Sequence, residues 1–155
     1  LAEYLSRGIK VIVIGDKNDK SVNALRGRHV VNLVGMLTVK ELKAIIKHAA
    51  LVIGNDSAAV HIAAAFGVKT LTLFSGTARH QEWGAYGDKS YIIEKYTRCS
   101  PCGLVKCNMK RECLEIPVDF VANKALQIMK GKQEQKLIKY KIKENENIEG
   151  INNYK

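Results

Sequence analysis

Short runs of β-branched residues alternate along this chain with segments of helical period, and the connections between them are only a few residues long. IKVIVI at 9–14 ends at Gly15-Asp16, and a weakly helical segment is expected to follow to about Leu25. His29–Leu33 repeats the strand signal. Thr38-Val39-Lys40-Glu41 then sets a hydroxyl and a carboxylate three apart, the spacing of a capping box, and opens a helix, ELKAIIKHAA, with Leu42, Ile45 and Ile46 on one face. Strand 51–54, a helix over 57–66 closed by Gly67, strand 69–74 and strand Tyr91–Ile93 complete the pattern. Such a rhythm predicts an α/β fold, a parallel sheet with helices on both faces. Ligands of these sheets bind beyond the carboxyl ends of the strands.

The rhythm breaks at 95–116, a loop holding four cysteines, Pro101 and several charges, and resumes at Pro117, which starts a last amphipathic helix, VDFVANKALQIMKG. From Lys132 the chain turns rich in Lys, Glu, Asn and Gln. The expected organisation is therefore one domain over 1–131 and a basic tail over 132–155, in which KLIKYKIK is a basic helix or strand and ENENIEGINNYK is disordered. LAEYLSRG reads as the end of an amphipathic helix closed by Gly8, so a larger fold is expected to extend upstream. No apolar run approaches the ~20 residues of a membrane span, and the first residues are no signal peptide. A cytoplasmic protein is expected. With 25 Lys plus Arg against 15 Asp plus Glu, the net charge of +10 fits an anionic partner, whether nucleic acid, lipid head groups or a phosphorylated substrate; it equally fits solvated lysine faces.

The stretch LVIGNDSAAVHIAAAFG at 51–67 carries the chemistry. A strand that ends in Gly54-Asn55-Asp56-Ser57 and feeds a helix leaves unpaired backbone N–H groups at the positive end of the helix dipole, a place suited to phosphate. Ser57 offers a hydroxyl. His61, four residues on and on the same helix face, offers a second donor. Asp56 would repel phosphate, so its natural roles are capping the helix or accepting from a sugar hydroxyl or from His61. Taken alone, Asp-Ser-x-x-x-His is also consistent with an ordinary cap and a satisfied histidine.

Neighbouring segments add to this stretch. LVIGNDSAAVHIAAAFGVKTLTLFSGT, then WGAYG, CSPC, Cys107 and Cys113, together with the preceding VGMLTVKELKAIIKHA, resemble the C-terminal domain of glycosyltransferase family 9, the lipopolysaccharide heptosyltransferases, over about Val11 to Met129. The resemblance implies a Rossmann-like domain, the C-terminal half of a GT-B glycosyltransferase, that binds a nucleotide-diphosphate sugar similar to ADP-heptose for transfer to the lipopolysaccharide core. By the same resemblance, Asp56 contacts the donor sugar or orients His61, while Ser57, the backbone of Ala58 and His61 hold the diphosphate. Met36 and Leu37 fall where the family packs the nucleobase, with helix-entry packing as their ordinary role. Thr77 stands in the loop after strand 69–74, where it would meet phosphate or sugar or else stabilise the turn.

Departures from the family pattern qualify what this chain does by itself. Ala58 stands where the family usually has Gly. The family's lysine near the start of this domain and the acidic residue of its N-terminal domain have no counterpart, so the main base is expected in a missing N-terminal domain. The implied reaction is displacement at the anomeric carbon, in which His61, with Asp56 in support, stabilises the departing diphosphate. It needs no metal and no cofactor. A lysine-rich tail would suit a peripheral site at the inner face of the cytoplasmic membrane, beside the acceptor.

Cys99, Cys102, Cys107 and Cys113 are spaced for a zinc site, for disulfides or for free thiols, and a reducing compartment disfavours disulfides. A zinc loop beside a basic tail would also suit a nucleic-acid-binding module. Aromatic residues make up only 6% of the chain and are not interleaved with the basic ones, so a stacking platform is missing and no nucleic-acid partner is expected. An inactive, truncated remnant of the transferase is the third reading.

Overall fold

A computed structural model describes residues 1–19, 22, 25–104, 106–107, 110–133 and 135–140. In chain order the elements are α1 (Ala2–Leu5), β1 (Val11–Val13), β2 (Val30–Asn32), α2 (Val39–Lys47), β3 (Val52–Asn55), α3 (Ala58–Ala65), β4 (Thr70–Phe74), α4 (His80–Trp83), β5 (Ser90–Glu94), a single 3-10 turn at Glu112–Leu114, α5 (Val118–Met129) and β6 (Leu137–Lys139). β1 pairs with β2, and β3-β4-β5-β6 form a four-stranded sheet in that order. Every one of these pairings is parallel.

Successive side chains of a strand face opposite ways, and the sheet uses both faces. Leu71 of β4, Ile93 of β5 and Ile138 of β6 are buried with Val121, Ala125 and Ile128 of α5, and Leu51, Ile53 and Leu73 pack against the same cluster. Val52, one position out of phase, joins Ile46 of α2 with Val60 and Ala63 of α3 on the other side. Helices therefore cover both faces, as the alternation predicts. The small side chains of α3 let it lie close over β3, so the polar end of that strand passes directly into the helix.

Local signals set the helix ends. Thr38 and Glu41 form the capping box: the Glu41 carboxylate accepts from Thr38 N at 2.8 Å, and Thr38 Oγ1 accepts from Glu41 N at 3.3 Å. Gly67 takes a left-handed φ of 67° after α3, which only glycine adopts without strain. At the far end of α5, Lys69 Nζ donates to the carbonyls of Ile128 at 2.9 Å and Met129 at 3.3 Å, placing a cation on the negative end of the dipole.

Three segments differ from expectation. Turns replace the weak helix before Leu25 among the described residues, with Asp19 N bonded to Asp16 O and Leu25 N to Val22 O; 20, 21, 23 and 24 lie outside them. The physical reason is side-chain competition, since Asp16 Oδ1 accepts from Asn18 N and Nδ2 and stabilises a turn instead. The sheet also runs past residue 131, because Leu137–Lys139 of the expected tail is strand β6. α4 has no counterpart in the periodicity. The 144–155 segment lies outside the described residues.

Two tests follow from this packing. Thr70 and Thr72 are buried on the face opposite α5, and neither Oγ1 has a hydrogen-bond partner. Thr72→Val removes an unsatisfied hydroxyl at nearly constant shape, and is expected to raise the unfolding free energy by about 1 kcal/mol in urea denaturation; a comparable loss would show that the hydroxyl is paired in solution. Hydrogen bonds from the Thr38 side chain and then its backbone hold Glu41 below the usual carboxylate range. A folded-state value lowered in this way contributes stability above the unfolded-state value and loses it as pH falls through the folded one. Glu41→Gln should therefore flatten the acid limb of Tm against pH, and an unchanged limb would contradict the capping role.

Candidate functional site

β3 ends at Asn55, and α3 begins three residues later at Ala58. Asn55, Asp56, Ser57 and Ala58 are all exposed. Ser57 occupies the cap position with extended backbone, yet its side chain makes no capping bond. The helix therefore uses neither the Ser57 hydroxyl nor the amides of Ala58 and Ala59. Asp56 and His61 meet across this opening, with His61 Nε2 2.9 Å from Asp56 Oδ1 and the two side chains 46% and 35% exposed. The bond fixes the imidazole beside the helix end and keeps it out of the core. Asp56 can accept from a sugar hydroxyl through its other oxygen, while the amides and the Ser57 hydroxyl donate to an anion.

The next strand ends on the same rim. Asn55 of β3 aligns with Leu73 of β4, and Phe74 with Glu94 of β5, so the three carboxyl ends lie side by side. Beyond β4, Thr77 Oγ1 is 2.7 Å from Ser75 Oγ, the turn-stabilising contact that its position allows. The cysteine loop is strapped to this turn by backbone bonds from Cys102 N to Gly76 O at 2.9 Å and from Gly103 N to Thr77 O at 2.8 Å. A side chain at Gly76 would collide with Ser100, so glycine is what lets the strap come so near.

The strap and the segment after it carry the four cysteines. No disulfide joins them, and no three potential metal-ligating side chains converge among the described residues. Cys107 Sγ accepts from Arg111 N at 3.3 Å, Cys99 Sγ lies 3.4 Å from Thr97 Oγ1, and Cys113 sits in the 3-10 turn against Gly76. A metal-holding cluster of the kind that the spacing suggested is not assembled among the described residues.

Asp56, Ser57, Ala58 and His61 thus share one helix end, and Thr77 lies past the adjacent strand. Met36 and Leu37 follow β2 in the other sheet; Met36 is 71% exposed and Leu37 partly buried. Sequence reasoning missed a second pair on the rim. His80 Nδ1 lies 2.8 Å from Glu94 Oε2, with the side chains only 17% and 19% exposed, and the His80 ring packs edge-on to Phe74. Its one visible signal was a carboxylate at the very end of a strand.

The family description "Glycosyltransferase family 9 (heptosyltransferase)" matches residues 1–112. The chain belongs to glycosyltransferase family 9. Its structure is similar to the crystal structure of the glycosyl transferase family 9 from Veillonella parvula DSM 2008, with a TM-score of 0.68 and 20% sequence identity. That likeness shows the Rossmann-like fold. The match covers 85% of this family 9 chain and 40% of the Veillonella chain, so the matched part is less than half of that structure's length. No curated protein matches. Within this family 9 chain, the Gly76 contact offers a direct check on the rim. Gly76→Ala is expected to push Ser100 away and speed hydrogen exchange at Cys102 and Gly103, roughly tenfold for ~1.4 kcal/mol of lost local stability; unaltered exchange would mean that the strap does not depend on this close approach.

Proposed function

We propose that this chain is the donor-binding half of a two-domain, GT-B-type glycosyltransferase that takes a nucleotide-diphosphate sugar, of the ADP-heptose kind, and serves its transfer to the lipopolysaccharide core. The observation that carries the reading is the open amino end of α3, with Asp56 and His61 bonded across it, in a family 9 chain. The diphosphate lies against the amides of Ala58 and Ala59 and the Ser57 hydroxyl. Asp56 accepts from the donor sugar, and Met36 and Leu37 offer an apolar surface to the base. As the anomeric bond breaks, charge builds on the departing diphosphate, and fixed donors at the helix end stabilise that charge more than they stabilise the bound donor. His61, oriented by Asp56, adds its imidazole to this set. A carboxylate from a second domain is the base that deprotonates the acceptor hydroxyl.

Among the described residues no helix is long and apolar enough to cross a membrane. Contact with the acceptor at the cytoplasmic face of the membrane would then be peripheral, helped by the chain's surplus of lysine.

Thermal unfolding in the presence of ADP tests the reading. At a hundredfold excess over Kd, linkage should add about 2.7 kcal/mol of stability. His61→Ala and Ser57→Ala should each remove most of the gain, and Ala58→Gly should enlarge it by freeing the backbone approach. No response to ADP or to any other nucleoside diphosphate would refute it.

A further inference from the structure

An open groove of about 710 Å³ lies between α4 and the cysteine strap, lined by Thr77, Arg79, Glu82, Trp83, Pro101 and Leu104 among others. Asp56, Ser57 and His61 do not line it. Through Thr77 it is nevertheless continuous with the rim on which they stand. From this groove we infer a second subsite, which binds a saccharide ring of the acceptor; the inference rests on the proposed transferase reading.

The chemistry of the walls selects the occupant. A sugar ring presents C–H groups on its faces and hydroxyls around its edge, so it calls for an aromatic plane bordered by polar side chains. Trp83 is 61% exposed and has no ring or cation partner among the described residues. Arg79 and Glu82 stand on the same short segment and supply donors and acceptors for hydroxyls. Leu104 and Pro101 make an apolar wall on the strap. A nucleic-acid strand would meet one arginine beside a glutamate, too little positive charge for a row of phosphates.

The walls are also fixed before any ligand arrives. The half-buried His80–Glu94 pair ties α4 to the end of β5, Gly84 N donates to His80 O at 2.8 Å, and the two strap bonds hold the opposite side. A side chain at Gly84 would press on His80 O and Ile92. Preorganised walls spare a ligand the cost of ordering them. A transferase needs its acceptor hydroxyl next to the donor sugar. A subsite one strand from Asp56, on the same rim, meets that need.

Trp83 is the sole tryptophan of the chain, so its fluorescence reports on this groove alone. Core oligosaccharide released from lipopolysaccharide by mild acid should change the emission saturably. Arg79→Ala and Glu82→Gln should each raise the half-saturating concentration roughly tenfold, while the Tm gain with ADP persists in both. No emission change with the oligosaccharide overturns the inference, as does an ADP-induced change in emission that His61→Ala abolishes, which would assign the groove to the donor. If neither variant weakens the oligosaccharide signal, the inference also fails. The ADP response is read separately. Its loss with oligosaccharide binding intact would remove the donor reading and leave a saccharide groove.

Discussion

Parallel pairing is the constraint on which the rest of this molecule depends. Parallel strands cannot be joined by a tight hairpin, so every connection must cross a face of the sheet, and the carboxyl ends of successive strands come to lie along one rim. In this chain that geometry sets Asp56 after β3, Thr77 after β4 and Glu94 at the end of β5 side by side, although they are far apart in sequence. The helices that make the crossings also fill the two faces. α5 closes over Leu71 and Ile93 and α3 over Val52, and the interior takes in Leu73 and Phe74 at the rim but not Asp56, Ser57 or Thr77. Asp56 and Ser57 there stay exposed.

The rim divides its work between backbone and side chains. At α3 the proposed anion site rests on amides that the helix itself cannot pair, and the alanines that follow keep the helix close to the sheet. The Asp56–His61 bond then holds an imidazole over the opening at little cost, because both groups remain partly solvated. Further along, His80 and Glu94 are more deeply buried, and their contact with each other and with Phe74 steadies a four-residue helix too short to be stable alone. In the proposed reading one pair meets the substrate, and the other holds the wall beside it.

Much of this arrangement was legible in the residues. The capping box at Thr38–Glu41, the stop at Gly67 and the apolar runs of β3 and β4 each express a local rule, and each local rule agrees with the final fold. The cluster Asp56-Ser57-Ala58-His61 could be read because its members lie within one turn of the same junction. His80 and Glu94 could not, since they are 14 residues apart and meet only through the pairing of β4 with β5. α4 is a single turn with no period to detect. For the lysine-rich KLIKYKIK the residues left helix and strand both open, and it is the parallel pairing with β5 that makes Leu137–Lys139 a strand of the sheet. The cysteines show the opposite failure. Their spacing suggested convergence, but the strap is organised by backbone bonds to Gly76 and Thr77, and no three ligating side chains gather among the described residues.

In the proposed function the open end of α3 receives the diphosphate of a nucleotide donor. Backbone amide shifts recorded by 1H–15N NMR during an ADP titration address it residue by residue. The account predicts the largest downfield displacements at Ala58 and Ala59, with Ser57 and His61 following and the β6 edge unaffected. Saturable binding whose displacements bypass this junction would contradict it.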